Sequence, residues 1–128
     1  MSKTNYLENK VIDHSLGVTS YTMPTTYLAA FTAAPGEAGG GTEVSGGSYA
    51  RVALSGKIGA ASGGASVNSA DINFPTATAD WGTVTHFAVF DASSAGNMLH
   101  YGALTASKII YSGDVLSFPA GQLTFTED

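Results

Sequence analysis

Cysteine is missing from the chain. Its absence excludes a disulfide framework, a zinc–thiolate site and a thiol nucleophile. Charge is nearly as scarce. Asp, Glu, Lys and Arg make up 12% of the 128 residues, about half the ~25% of an average domain. The basic side chains, Lys3, Lys10, Arg51, Lys57 and Lys108, are scattered, and the formal net charge is −5. Nothing in that pattern could neutralise a run of phosphates, so no nucleic-acid partner is expected. No apolar stretch approaches the ~20 residues of a membrane span, and no membrane partner is expected. Residues 1–10 carry Lys3, Glu8 and Lys10 without an apolar run, so no secretory signal is read there. Heptads and repeats of roughly 20–50 residues are absent too, which argues against a coiled-coil shaft and a solenoid.

What is present is small and neutral. Thr, Ser, Gly and Ala must cover a surface so poor in charge, and such a surface desolvates cheaply against other protein. The length suits one domain. It allows burial of roughly two-thirds of the surface exposed by the unfolded chain, so no metal is needed for folding.

One helix is predicted within residues 5–16. Asn5 is placed to cap it, with Glu8 three residues on in the capping-box position. Leu7, Val11 and His14 recur at i, i+4 and i+7, with Ile12 and Leu16 alongside, and Gly17 is a natural terminator. A helix of about a dozen residues is marginal alone. It must dock on its own domain or on a neighbouring subunit. Residues 1–17 are read as a helical arm and residues 18–128 as a β-sandwich domain.

Beyond Gly17 the period shortens to two. Strands are predicted at 27–31, 49–54, 83–91, 98–103, 108–111, 115–118 and 123–126, with one or two more inside 65–74. The strongest is 83–91. Val84, Ala88 and Phe90 on one parity, and Phe87 and Val89 on the other, imply a central strand covered on both faces. A long loop is expected at 34–48, around Pro35, Gly36 and the run Gly39-Gly40-Gly41. Residues 93–97 read as a turn, and Ser112-Gly113-Asp114 as a second one folding 108–111 onto 115–118. About eight short strands with no second helix predict an all-β fold. It is an antiparallel sandwich or jelly roll with one short N-terminal helix.

Chemistry-bearing motifs are few. His14, His86 and His100 lie far apart without H-x-H or H-E-x-x-H spacing, so they read as hydrogen-bonded structural histidines rather than metal ligands. No G-x-S-x-G elbow accompanies the Ser, His and Asp residues. The glycine run is followed by neither a Lys-Ser/Thr pair nor a strand-to-helix context, which excludes a phosphate loop. Asp71, Asp80, Asp91 and Asp114 sit beside predicted turns, where Asp is expected, and lack calcium-loop spacing. Trp81 could stack on a sugar ring. More often such a residue plugs one end of a sandwich, its indole N–H bonded to a backbone carbonyl. No catalytic, metal or cofactor-binding residue is expected, and the chain is read as a non-enzyme.

A family pattern runs through these residues. Tyr6-Leu7-Glu8-Asn9 and Ile12-Asp13-His14 open it, followed by Thr26-Tyr27-Leu28 and Phe31-Thr32-Ala33-Ala34-Pro35-Gly36. Tyr49-Ala50-Arg51 and Asn73-Phe74-Pro75-Thr76-Ala77 continue it. Then come Trp81-Gly82-Thr83-Val84-Thr85-His86-Phe87, Phe90-Asp91-Ala92, Gly102-Ala103-Leu104, Gly113-Asp114 and Phe118-Pro119-Ala120-Gly121. From Tyr6 to Thr126 the chain resembles a family of small tailed-bacteriophage virion proteins often labelled tail fibre protein. It is also similar in size and pattern to jelly-roll capsid cement, or decoration, proteins.

The resemblance implies a virion structural protein assembled in the host cytoplasm. A compact domain with a helical arm, a Gly-rich loop and no shaft fits a clamp across neighbouring capsid subunits, so the cement role is preferred. The partners expected are other phage structural proteins, the major capsid protein first, with homo-oligomers. The alternatives are a tail-associated protein (tail fibre or tail-tip adaptor) and a carbohydrate-binding receptor module. That module would use Trp81 or exposed members of Tyr21, Tyr27, Tyr49 and Tyr101. Contacts with neighbours are expected through the arm, at Tyr6, Leu7 and Val11, and through the loop, at Pro35, Glu37 and Glu43.

Overall fold

The computed structural model describes residues 1–127. In chain order they form a strand at Ser2–Lys3 (β1), a helix at Asn5–Ser15 (α1), and strands at Tyr27–Ala33 (β2), Thr42–Glu43 (β3), Val52–Ala53 (β4) and Ala65–Val67 (β5). Strands at Ile72–Asn73 (β6), Gly82–Phe90 (β7), Met98–Ile110 (β8), Ser117–Phe118 (β9) and Thr124–Thr126 (β10) complete the fold. It is all-β and antiparallel apart from one N-terminal helix, as the period-two alternation predicts.

The helix begins at Asn5, so its cap lies one residue earlier than expected. Thr4, and not Asn5, is the N-cap: its Oγ1 accepts the Leu7 N–H at 3.4 Å and donates to the Met98 carbonyl at 2.6 Å. The Thr4 N–H also donates to the Leu99 carbonyl at 2.9 Å. Both residue types cap well. Bonds to β8 that no local pattern reveals select Thr4. Gly17, at φ +80°, follows the C-cap as anticipated, in a backbone conformation that costs glycine little. The helix docks on its own domain. Leu7 is buried in the main core, and Tyr6 and Val11 pack against that core half-buried.

The principal sheet has six strands in the order β1-β8-β7-β2-β3, with β4 also pairing with β2. Two ribbons, β5–β10 and β6–β9, complete the strand pairing. The main core joins Leu28, Val84, Phe87 and Leu99 of the sheet to Ile72 and Phe118 of the β6–β9 ribbon. The result is a sandwich with an uneven second layer. The opposite sheet face buries a smaller cluster of Ala29, Phe31, Ala88, Phe90 and Met98. β7 is therefore covered on both faces, as its two apolar parities require.

Two register breaks depart from simple alternation. Val84 pairs with Lys108 and His86 with Ala103, so Thr85 alone faces the four residues 104–107 of β8. This bulge also slips the pleat of β7, putting Val84 in the same core as Phe87 instead of with Ala88 and Phe90. The predicted 98–103 and 108–111 strands are one strand bent at that bulge. The expected hairpin of 108–111 with 115–118 does not form, because Lys108 to Ile110 pair with Gly82 to Val84. Ser117–Phe118 pairs instead with Ile72–Asn73. The predicted 49–54 strand shrinks to Val52–Ala53, and the 34–48 loop contains β3.

Asn68 anchors the second layer. It is almost fully buried and makes four side-chain hydrogen bonds: its Nδ2 donates to the Ala70, Phe118 and Pro119 carbonyls, and its Oδ1 accepts the Leu123 N–H. A buried amide so fully engaged stabilises the layer instead of straining it.

Candidate functional site

β3 and β4 share one edge of β2 and leave a gap between them. β3 pairs with Phe31 and Ala33, and β4 with Tyr27 and Leu28. The Ala30 N–H lies in that gap, where an unmet backbone donor would be costly. The Tyr49 hydroxyl accepts it at 3.0 Å and donates in turn to Glu43 Oε2 at 2.6 Å. Glu43 is held from the other side by a fork: Arg51 Nε donates to Oε2 and Nη2 to Oε1, each at 2.9 Å. The remaining terminal nitrogen of Arg51 donates to the Ala92 carbonyl at 2.9 Å and the Ala95 carbonyl at 2.8 Å. The guanidinium thus ties the β2 edge to the β7–β8 turn across the Phe90 ring. Ala95, at φ +53°, is a non-glycine residue in the left-handed region, held in part by that bond.

The network shifts its own titration. Burial alone would raise the Glu43 carboxyl, but the hydrogen bonds from Arg51 and Tyr49 outweigh it and hold the group below the usual carboxylate range. Burial first, and then the bond to Glu43, push the Tyr49 hydroxyl far above the ordinary phenol range. The bond to Glu43 raises Arg51 further. These are the signatures of a locked charge pair, with no proton to exchange near neutrality.

Above the network lies an open cleft of about 560 Å³. One wall is the start of α1, at Asn5 and Tyr6. A second is the glycine stretch 37–41, and the third is the turn at 95–98. Phe31 and Phe90 also border it, nearly buried and stacked with centroids 6.1 Å apart and planes 6° from parallel, with the Arg51 guanidinium over the Phe90 ring. The glycines let the second wall pass close to β2. A Cβ on Gly41, at φ +76°, would come within 2.7 Å of the Ala33 carbonyl oxygen.

Of the expected contact residues, Tyr6, Glu37 and Glu43 converge on this cleft. Leu7 and Pro35 do not offer themselves to a neighbour. Both are buried, Leu7 in the domain's own core, because the short helix is stable only with its apolar face covered. Val11 is half-buried against the same core. Large apolar side chains are exposed instead at Ile12, Leu16, Val18 and Met23, and again at Val67, Ile109, Tyr111 and Val115.

Trp81 is not a stacking platform. Only 5% exposed, it donates its indole N–H to the Gly47 carbonyl at 3.0 Å and meets Tyr49 edge-on at 5.3 Å. It plugs one end of the core. His86 and His100 lie on paired strands but three registers apart and on opposite faces of the sheet, and His14 accepts the Tyr21 N–H at 3.0 Å. Among the described residues, no group of three or more His, Asp or Glu side chains is placed to hold a metal ion. Among the described residues no helix is long and apolar enough to cross a membrane. Sequence reasoning missed Arg51 as the keystone. The available signal was its chemistry: it is the one Arg among five basic residues, and only Arg presents a planar fork for a carboxylate.

No curated protein shows a significant match to the chain. A family model described as Podophage GP4 fiber I protein gp80 matches residues 2–126, nearly the full length, and the chain belongs to that family of bacteriophage virion proteins.

Proposed function

We propose that this protein is a non-enzymatic structural subunit of a phage tail fibre, a compact module joined to other proteins of the particle. The observation that carries this reading is the family match across residues 2–126 to a fibre protein. It favours the tail-associated role over the capsid-cement role that the missing shaft suggested. The separation of His14, His86 and His100 and the locked Glu43–Arg51 pair support a role without turnover. The exposed run of Ile12, Leu16, Val18 and Met23 supplies apolar area for a neighbouring subunit, whether another copy or a different virion protein.

Deleting the gene and testing the particles decides between the two roles. A fibre subunit predicts shells of normal heat resistance and failed adsorption to the host. Fragile shells with normal adsorption would overturn the reading in favour of cement. The docking surface is tested by Leu16→Glu with Val18→Glu. Both residues are more than 70% exposed, so stability should change by less than about 0.5 kcal/mol while incorporation into particles falls. Normal incorporation would remove this surface from the interface.

A further inference from the structure

Residues 17–26 cross from α1 to β2 without forming a strand. Backbone bonds from Gly17, Val18 and Thr19 to the His14 and Asp13 carbonyls fix the start of this strap. Across residues 20–25, among the described residues, one hydrogen bond remains: the Tyr21 N–H donates to His14 Nδ1 at 3.0 Å. Tyr21 packs its ring against the main core, but its hydroxyl is buried with no hydrogen-bond partner among the described residues. An unmet hydroxyl weakens that anchor. A backbone N–H can only donate, so Nδ1 must be free of a proton and the ring neutral. Protonation turns Nδ1 into a donor facing a donor, and the bond cannot survive it. The His14 side chain is exposed, so a proton reaches it freely. In the last turn of α1 an imidazolium is also favoured by the helix dipole. Nearby charges are few. Lys10 and Asp13 lie within a turn on α1, Lys3 and His100 stand on the strands packed against it, and residues 16–26 carry no charged side chain.

We propose that His14 is a proton-sensitive latch on the docking surface. Neutral, it pins residues 20–25 beside α1 and so fixes Met23, 90% exposed, relative to Ile12 and Leu16. Protonated, it lets go, while Val18 stays with the helix end through the Asp13 carbonyl. Acid therefore disperses the apolar side chains that a neighbouring subunit would cover. The role in docking rests on the surface proposed above. The latch itself is read in the free chain, so its failure is distinct from that of the docking surface, which Leu16→Glu with Val18→Glu tests on particles.

The experiment compares the ¹⁵N-labelled full chain at about pH 8 and about pH 5, on either side of the ordinary histidine range. Ring ¹⁵N shifts of His14 report which nitrogen carries a proton, and backbone order parameters report the strap. At the higher pH Nδ1 should be unprotonated and residues 20–23 as ordered as α1, at about 0.85. At the lower pH both ring nitrogens should be protonated and those order parameters should fall below about 0.6, with β7 unchanged. His14→Asn places a carbonyl oxygen where Nδ1 stood and should stay ordered at both pH values. His14→Ala should be loose at both. Position 14 is exposed, and the same spectra report that the variants are folded. At the higher pH, purified His14→Ala should add to particles lacking the protein less well than the wild type, and His14→Asn should match it. An unchanged strap in acid, a pH step that persists in His14→Asn, or a strap still ordered in His14→Ala would overturn the latch. Addition of His14→Ala to particles as complete as that of the wild type would overturn its role in docking.

Discussion

The guanidinium carbon of Arg51 lies 3.7 Å from the centroid of the Phe90 ring. The same guanidinium forks onto Glu43 and reaches two carbonyls of the β7–β8 turn. One side chain therefore covers an aromatic ring, neutralises a partly buried carboxylate and fixes a turn. Its side chain is only 7% exposed, so water cannot replace these partners. Arg51→Met should lower the unfolding free energy by about 3 kcal/mol, the cost of leaving a desolvated partner unpaired. Arg51→Lys should recover little, because an ammonium cannot make the fork. Urea unfolding of the two variants measures both, and a loss below 1 kcal/mol in each would refute the keystone role.

Acid should act through the same pair. The Glu43 carboxyl is held below its ordinary value of 4.5 in the folded protein. Between the folded and unfolded values, the unfolded chain binds more protons, so stability rises with pH there. The contribution is complete above the unfolded value and disappears as pH falls through the folded one. The unfolding midpoint should therefore drop on acidification below that ordinary value, with a shallower slope in Glu43→Gln. Equal slopes in the two proteins would assign the acid sensitivity to other carboxylates.

Trp81 offers a direct optical check. As a buried indole packed against Tyr49 and Phe74, it should emit at short wavelength and resist aqueous quenchers. Trp81→Phe keeps the ring packing but removes one of the two donors to the Gly47 carbonyl, which retains the Thr78 N–H at 3.0 Å. The expected cost is about 1–2 kcal/mol. Fluorescence quenched readily by iodide would place the ring in solvent.

How far these features could be read from the chain depends on how local their causes are. β7 was legible because residues 84–90 carry apolar side chains on both parities, and only a central strand satisfies both. Helix α1 was legible from its spacing, but its cap was not. Thr4 and Asn5 are equally able caps, and the choice is made by carbonyls more than ninety residues away. β8 was read as two strands, 98–103 and 108–111, from local pattern alone. The length of β7 decides otherwise, since its first residues require partners and find them at Lys108 to Ile110. The cleft was half legible. Glu37 and Glu43 were placed at a contact surface from the loop's composition, whereas Asn5 and Asn97 reach it only through the tertiary fold.

Hydrogen exchange should separate the two parts of β8. Amides of β7, between β8 and β2, should exchange by global unfolding and be the slowest in the protein. Amides of residues 104–107, which have no partner in the ladder, should exchange fastest within β8. A protected bulge, or a β7 that exchanges with the loops, would contradict the sheet order.

The bulge also bears on how the protein behaves when crowded. An exposed flat strand is a template on which further chains can add without limit. Here the sheet ends in β1 on one side and in β3 and β4 on the other, each two residues long. β8 is by far the longest strand, and where it runs past β1 it buckles at residues 104–107. Among the described residues of this sheet, the bulge interrupts the free edge of β8 beyond Tyr101. Copies of the domain held at high concentration are thus hindered from polymerising edge to edge into insoluble ribbons.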